Sequence, residues 1–224
     1  MLAIELRFVA TADKGEVSAI LMRPDDATHL LVLGHGASTT MRHQTMQTIA
    51  ERLAEVGIAT FRYNFPYSEK GGGRSSQATC VETIRSAVRA ASEEAADLPI
   101  LAGGHSFSGR MTSTAASESP IENVKGLVFF SFPLHPAGEP ATKRADHLSA
   151  VTVPMLFVSG TRDALAELDL LGPVVKNLGG RATLHLLDTA VHSFKILKRT
   201  RQSDEDVFAE MARVLREWAG SMEV

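Results

Sequence analysis

Apolar and polar positions alternate with two different periods along the chain, and the period changes mark the elements. Residues 2–9 and 16–23 are runs rich in Ile, Leu, Val and Phe, and Asp13, Lys14 and Gly15 between them carry the chemistry of a tight turn. That pattern predicts an antiparallel hairpin. From residue 29 onward, short apolar runs alternate with longer segments of helical period, the signature of parallel strands joined by crossover helices. The strand-like runs are 29–36, 58–65, 99–104, 124–132, 154–160 and 182–188. Met46, Ile49, Ala50 and Leu53 line one face of a first helix that stops at Gly57, and Val81, Ile84, Val88 and Ala91 line one face of a second. A last helix over residues 203–218 takes Ser203 as its N-cap and carries a stripe of Val207, Phe208, Met211, Val214, Leu215 and Trp218, which reads as core. Gly71 to Gly73, followed by Ser75 and Ser76, reads as a loop and a helix entrance. The pattern predicts an α/β chain with about eight strands, mostly parallel, and helices on both faces. No repeat or linker interrupts it, so residues 1–224 are expected to form a single domain.

Composition narrows the partners. The chain is 44% hydrophobic and 22% charged, with a formal net charge of -3 and neither a basic stripe nor a long single-sign run. It therefore gives no sign of nucleic acid or an anionic membrane as the main partner, and the Lys198 to Arg201 segment reads as a solvated loop. One cysteine, Cys80, allows neither an internal disulfide nor a zinc cluster and points to a reducing compartment. The first seventeen residues alternate and carry charge, unlike a secretory signal or a membrane span, so a cytoplasmic location is expected. No cofactor or metal is expected. The Gly34 to Thr39 stretch resembles a dinucleotide loop only superficially, because the next strand, Phe61 to Phe65, ends without an acid for a ribose. Gly71 to Arg74 lacks the ending of a phosphate loop. Nothing in the sequence speaks to oligomeric state.

The chemistry centres on residues 98–112, which read as a buried strand, a sharp turn and the start of a helix. Gly104-His105-Ser106-Phe107-Ser108 matches a G-x-S-x-G turn at the serine and the first glycine, with Ser108 in place of the second. Such a turn pushes the Ser106 hydroxyl out above the sheet beside the first amides of a helix. A neutral serine is a weak nucleophile and needs a base, and the base needs an orienting carboxylate. Asp163 follows the strand at 154–160 and His192 follows the last strand, giving the chain order Ser, Asp, His. Asp188 is the runner-up acid, only four residues before His192. Backbone amides for a developing oxyanion are expected from Phe107, directly after the nucleophile, and from Ala37, in the glycine-bearing loop after the third strand. Of the other histidines, His29, His43, His105 and His185 read as structural, while His135 and His147 fall in the insertion after the sixth strand, where they could line the site.

With HGA after one strand, GHSFSG after a later one, SGTRD after another and AVHSF near the end, the chain resembles the α/β-hydrolase superfamily over nearly its whole length. FFSFPLHPAGEP followed by HLSAVTVPMLFVSGTRD is similar to a small subgroup of bacterial proteins often labelled dienelactone-hydrolase-related. These are akin to testis-expressed and histone-acetyltransferase-complex homologues of animals. The resemblance implies an α/β-hydrolase fold with a minimal cap and places Ser106, Asp163 and His192 at the triad positions. Dienelactone hydrolases proper use a cysteine nucleophile, so their substrate does not carry over. An open site rimmed by Phe65, Tyr67, Phe107, Phe132, Leu134 and His135 is expected, which favours a small acyl or short ester group over a charged head. The leading expectation is a serine hydrolase acting on a carboxylic ester or thioester of a small molecule. The alternatives are a non-catalytic interaction protein that keeps the fold, or another bond type cleaved by the same three residues.

Overall fold

The computed structural model describes residues 2–222. One eight-stranded sheet runs through it, in the order β1 (Leu2–Thr11), β2 (Gly15–Arg23), β4 (Ile58–Tyr63), β3 (His29–Gly34), β5 (Ile100–His105), β6 (Val124–Phe130), β7 (Met155–Gly160) and β8 (Ala182–Leu187). β1 and β2 form the expected hairpin, β2 pairs antiparallel with β4, and every later pair is parallel. The central strands β3, β4 and β7 are buried at every position, as uninterrupted apolar runs covered on both faces should be.

Helices cover both faces. Met46, Ile49 and Leu53 of α1 (Gln44–Glu55) share one apolar cluster with Val207, Met211, Leu215 and Trp218 of α6 (Val207–Ser221). The other face is covered by α3 (Gln77–Glu94), α4 (Phe107–Glu118) and α5 (Leu168–Asn177), whose Ile84, Met111 and Leu171 join the larger cluster. A short α2 (Pro66–Lys70) lies after β4; five residues are too few to show a helical period in sequence. Glu69 fixes it to β2 by accepting hydrogen bonds from the Ser18 amide at 3.2 Å and the Ser18 hydroxyl at 2.7 Å.

Two expectations are corrected. The last helix begins at Val207, not Ser203: the Asp206 carboxylate accepts from the Phe208 and Ala209 amides and is the N-cap, while Ser203 accepts only from Glu205 in the preceding turn. Aspartate wins because its charge also meets the positive end of the helix. β3 and β4 stop two residues early, at Gly34 and Tyr63, because His35 and Asn64 turn to hold the following loops. The insertion between β6 and β7 contributes only a 3-10 stretch, Lys143–Ala150, and no helical cap.

Candidate active site

The turn after β5 is built by sterics. Gly104 has φ +151°, and a Cβ there would lie 2.2 Å from the Ser108 hydroxyl and 2.3 Å from the Gly34 carbonyl, so only glycine fits. Ser106 follows at φ 54°, ψ -108°, a conformation that costs a non-glycine residue about 1–3 kcal/mol and is sustained by its surroundings. Those surroundings are the Ser106 amide bonded to the Phe130 carbonyl at 2.9 Å, and the first turn of α4 closing from Arg110 onto the Ser106 carbonyl at 3.2 Å. Ser108 replaces the usual glycine at no visible cost to the turn. Its hydroxyl donates to the His105 carbonyl at 3.1 Å, and its Cβ occupies space that Gly34 leaves empty, since a Cβ on Gly34 would come within 2.5 Å of it.

The structure brings Ser106, His192 and Asp163 together from three loops at the carboxyl ends of β5, β8 and β7. His192 Nε2 lies 2.8 Å from Ser106 Oγ, and His192 Nδ1 lies 3.0 and 2.9 Å from the two Asp163 oxygens. Because a carboxylate only accepts, Nδ1 carries the proton toward Asp163, which leaves Nε2 as acceptor for the serine hydroxyl. The Asp163 side chain is fully buried and the His192 side chain 23% exposed, so the carboxylate is sealed while the imidazole edge meets solvent. Asp163 also accepts from the Leu165 amide at 2.9 Å. Asp188 turns the other way, accepting from the Gln202 amide at 2.8 Å. The loops bearing the acid and the imidazole are stitched together by Arg162 N–H to the Ala190 carbonyl and Thr189 N–H to the Thr161 hydroxyl.

The loop after β3 is held just as closely. His35 donates from Nδ1 to the Gly36 carbonyl at 2.7 Å and accepts at Nε2 from the Phe65 amide at 3.3 Å. Burial pushes its pKa down to about 4, so the ring is neutral, as those two bonds require. Asn64 accepts from the Met41 amide and donates to Glu69, while buried Arg62 donates to the Met41 carbonyl. The amides of Ala37 and Phe107 make no hydrogen bond to any other described residue. Unpaired backbone amides are the kind of donor a tetrahedral oxyanion needs.

The apolar rim needs correction. Phe65 and Phe132 are 0% and 1% exposed, and Phe132 packs its edge on Phe129 and Phe157, so both belong to the core. Aromatic side chains this large gain most by full burial, and strand-end positions next to β4 and β6 allow it. Leu134 and His135 are also buried but line a cavity beside α4, and His135 Nε2 bonds to Glu167. Tyr67 is half-buried and packs with Phe107 and Phe65. His43 caps α1, and His185 pairs with Glu210. Sequence reasoning missed Arg74, whose guanidinium sits 5.1 Å from the Phe107 ring centroid, and Arg110, one turn after Ser106. The spacing of Arg110 from Ser106 was the available signal for the second. Among the described residues, no group of three or more His, Cys, Asp or Glu is placed to hold a metal ion, and no helix is long and apolar enough to cross a membrane.

An open, mostly parallel eight-stranded sheet with a serine elbow after its fifth strand, and an acid and an imidazole on later loops, defines the α/β-hydrolase class. A family model described as an alpha/beta hydrolase domain matches residues 27–220, and the chain belongs to that family. Among solved structures it is similar to a dienelactone hydrolase from Anabaena variabilis, at 18% identity and a TM-score of 0.76, covering 99% of both chains. It is similar to the esterase domain of a Rhodothermus marinus protein at 18% identity and a TM-score of 0.72, covering 98% of both chains. A serine hydrolase without lid from Xanthomonas campestris aligns at 17% identity and a TM-score of 0.69, covering 98% of this chain and 94% of its own. These likenesses establish a shared fold.

Proposed function

We propose that the protein is a serine hydrolase that cleaves a carboxylic ester or thioester of a small molecule through an acyl-enzyme on Ser106. The observation that carries this reading is the continuous hydrogen-bonded chain from the Ser106 hydroxyl through His192 to Asp163, 2.8 Å at its first link and 2.9 Å at its second. In the proposed cycle His192 Nε2 takes the serine proton as Oγ bonds to the carbonyl carbon, and Asp163 holds the resulting imidazolium. The oxyanion formed at the carbonyl oxygen is met by the Phe107 and Ala37 amides. The carbonyl-to-leaving-group bond then breaks, and the leaving alkoxide or thiolate takes the proton from His192. A water molecule, deprotonated by His192, cleaves the Ser106 ester in turn and releases the acid.

The esterase and serine-hydrolase descriptions of the structural neighbours support this reading, as does the strained φ of 54° that presents Ser106. The test is turnover of a panel of short p-nitrophenyl esters and thioesters by the wild type and Ser106→Ala. Hydrolysis that is lost in the variant is expected. Equal rates from both proteins, or none from either, would favour a fold kept for interaction.

A further inference from the structure

A cavity of about 740 Å³ opens beside α4, between the start of α3 and the insertion that follows β6. Its wall carries Arg110, Lys143, Arg144 and His147, with Glu139 as the one carboxylate among the described lining residues, and Leu134 and Pro140 on its apolar side. Arg110 stands four residues after Ser106 on α4, a rise of about 6 Å along the helix, so the cavity begins one turn from the nucleophile. Arg74, 5.1 Å from the ring of Phe107, extends the row of positive charge toward the Ala37 loop, where it lines a second depression.

Most other arginines have partners: Arg62, Arg85, Arg89, Arg181 and Arg216 donate to carbonyls or hydroxyls, and Arg162 and Arg199, which have no partner among the described residues, are exposed to solvent. Arg7, Arg23, Arg42, Arg52, Arg201 and Arg213 each pair with a carboxylate. Among the described residues, Arg74, Arg110 and Arg144 pair with no carboxylate and their guanidinium groups donate no hydrogen bond. Arg110 is instead partly desolvated and faces the like charges of Arg144 and Arg74, which together press its pKa below the ordinary arginine value. Arg110 and Arg144, partly buried and of like charge without a carboxylate between them, are unfavourable for folding alone, and an oxyanion bridging them removes the cost, while exposed Arg74 adds positive charge from the side of Phe107.

We propose that this cavity is the subsite for an anionic group on the substrate, so that the ester cleaved at Ser106 carries a carboxylate or phosphate on a short chain. The proposal rests on the hydrolase reading above and replaces the uncharged substrate expected from an apolar rim. The apolar wall would take the intervening methylenes, and the Arg110 and Arg144 guanidinium groups would take the anion.

The test compares p-nitrophenyl hemiglutarate with p-nitrophenyl valerate, an uncharged ester of the same chain length. The wild type is expected to prefer the hemiglutarate at least tenfold in kcat/KM, and the preference should fall to within twofold in Arg110→Gln/Arg144→Gln. Glutarate and inorganic phosphate are then compared as competitive inhibitors to separate carboxylate from phosphate recognition. No preference in the wild type, or an equal loss on both esters in the variant, overturns the proposal. Calorimetric binding of monomethyl glutarate to Ser106→Ala separates this from the hydrolase reading. Binding that is lost when Arg110→Gln and Arg144→Gln are added upholds the anion site even without turnover, and absent binding refutes it.

Discussion

His105 donates its Nε2 proton to the backbone carbonyl of His192 at 3.2 Å, so the side chain just before the proposed nucleophile holds the residue proposed to deprotonate it. Burial keeps the His105 ring neutral by pushing its pKa down to about 4, and the ring packs against His192 and Phe194, with ring centroids 5.5 and 5.4 Å away. The elbow and the histidine loop are thereby one unit. His105→Ala is expected to lower kcat by about tenfold to a hundredfold with little change in KM, because displacing a positioned base by about 1 Å has that order of cost. Steady-state kinetics check this, and rescue by His105→Gln, which retains a donor, distinguishes positioning from a general loss of packing.

Asp163→Asn should leave the fold intact and lower kcat by about 10⁴, since an amide can donate to Nδ1 and so favour the wrong imidazole tautomer. Asp188→Asn, by contrast, touches only the Gln202 amide and should leave kcat unchanged. A large effect from the second substitution and none from the first would reverse the assignment of the acid.

Ser108 and Gly34 share one space. Gly34→Ala brings a Cβ within 2.5 Å of the Ser108 Cβ and 2.9 Å of the Tyr63 hydroxyl, and should destabilise the protein by about 1–3 kcal/mol in urea unfolding. Adding Ser108→Gly removes the nearer clash and should restore at least half of the loss. Additive destabilisation by the two changes would show that they do not share the space.

Stability should fall with acid through the buried imidazoles. His35 and His105 titrate at about 4 in the folded chain, against about 6.5 when unfolded, so the unfolded state binds more protons between those values. Their contribution is complete above about pH 6.5 and is lost progressively down to about pH 4, with a slope of about 1.4 kcal/mol per pH unit for each ring. His35→Gln should remove one ring's share of the slope in chemical unfolding measured from pH 4 to 7. An unchanged slope would mean that His35 is not the buried neutral group described.

Much of this was legible in the sequence because its physics is local. Strands buried on both faces read as apolar runs, so β3 to β7 were found with ends displaced by no more than two residues. The grouping of Ser106, Asp163 and His192 in one hydrogen-bonded chain is legible because each follows a strand, in the chain order that the proposed chemistry prescribes. What was missed depends on distant parts of the chain meeting. Arg74, Arg110 and Arg144 lie on three separate segments, and each alone reads as a solvated charge. Phe65 and Phe132 read as rim because nothing local says that Tyr63, Phe129 and Phe157 will close over them.

The most direct test is covalent labelling of the folded protein with a fluorophosphonate, followed by mass spectrometry of its peptides. The account predicts a single adduct on Ser106, formed in the wild type, strongly slowed in His192→Ala and absent after urea unfolding. An unmodified Ser106 in protein shown to be folded, or an adduct on another serine, would contradict it.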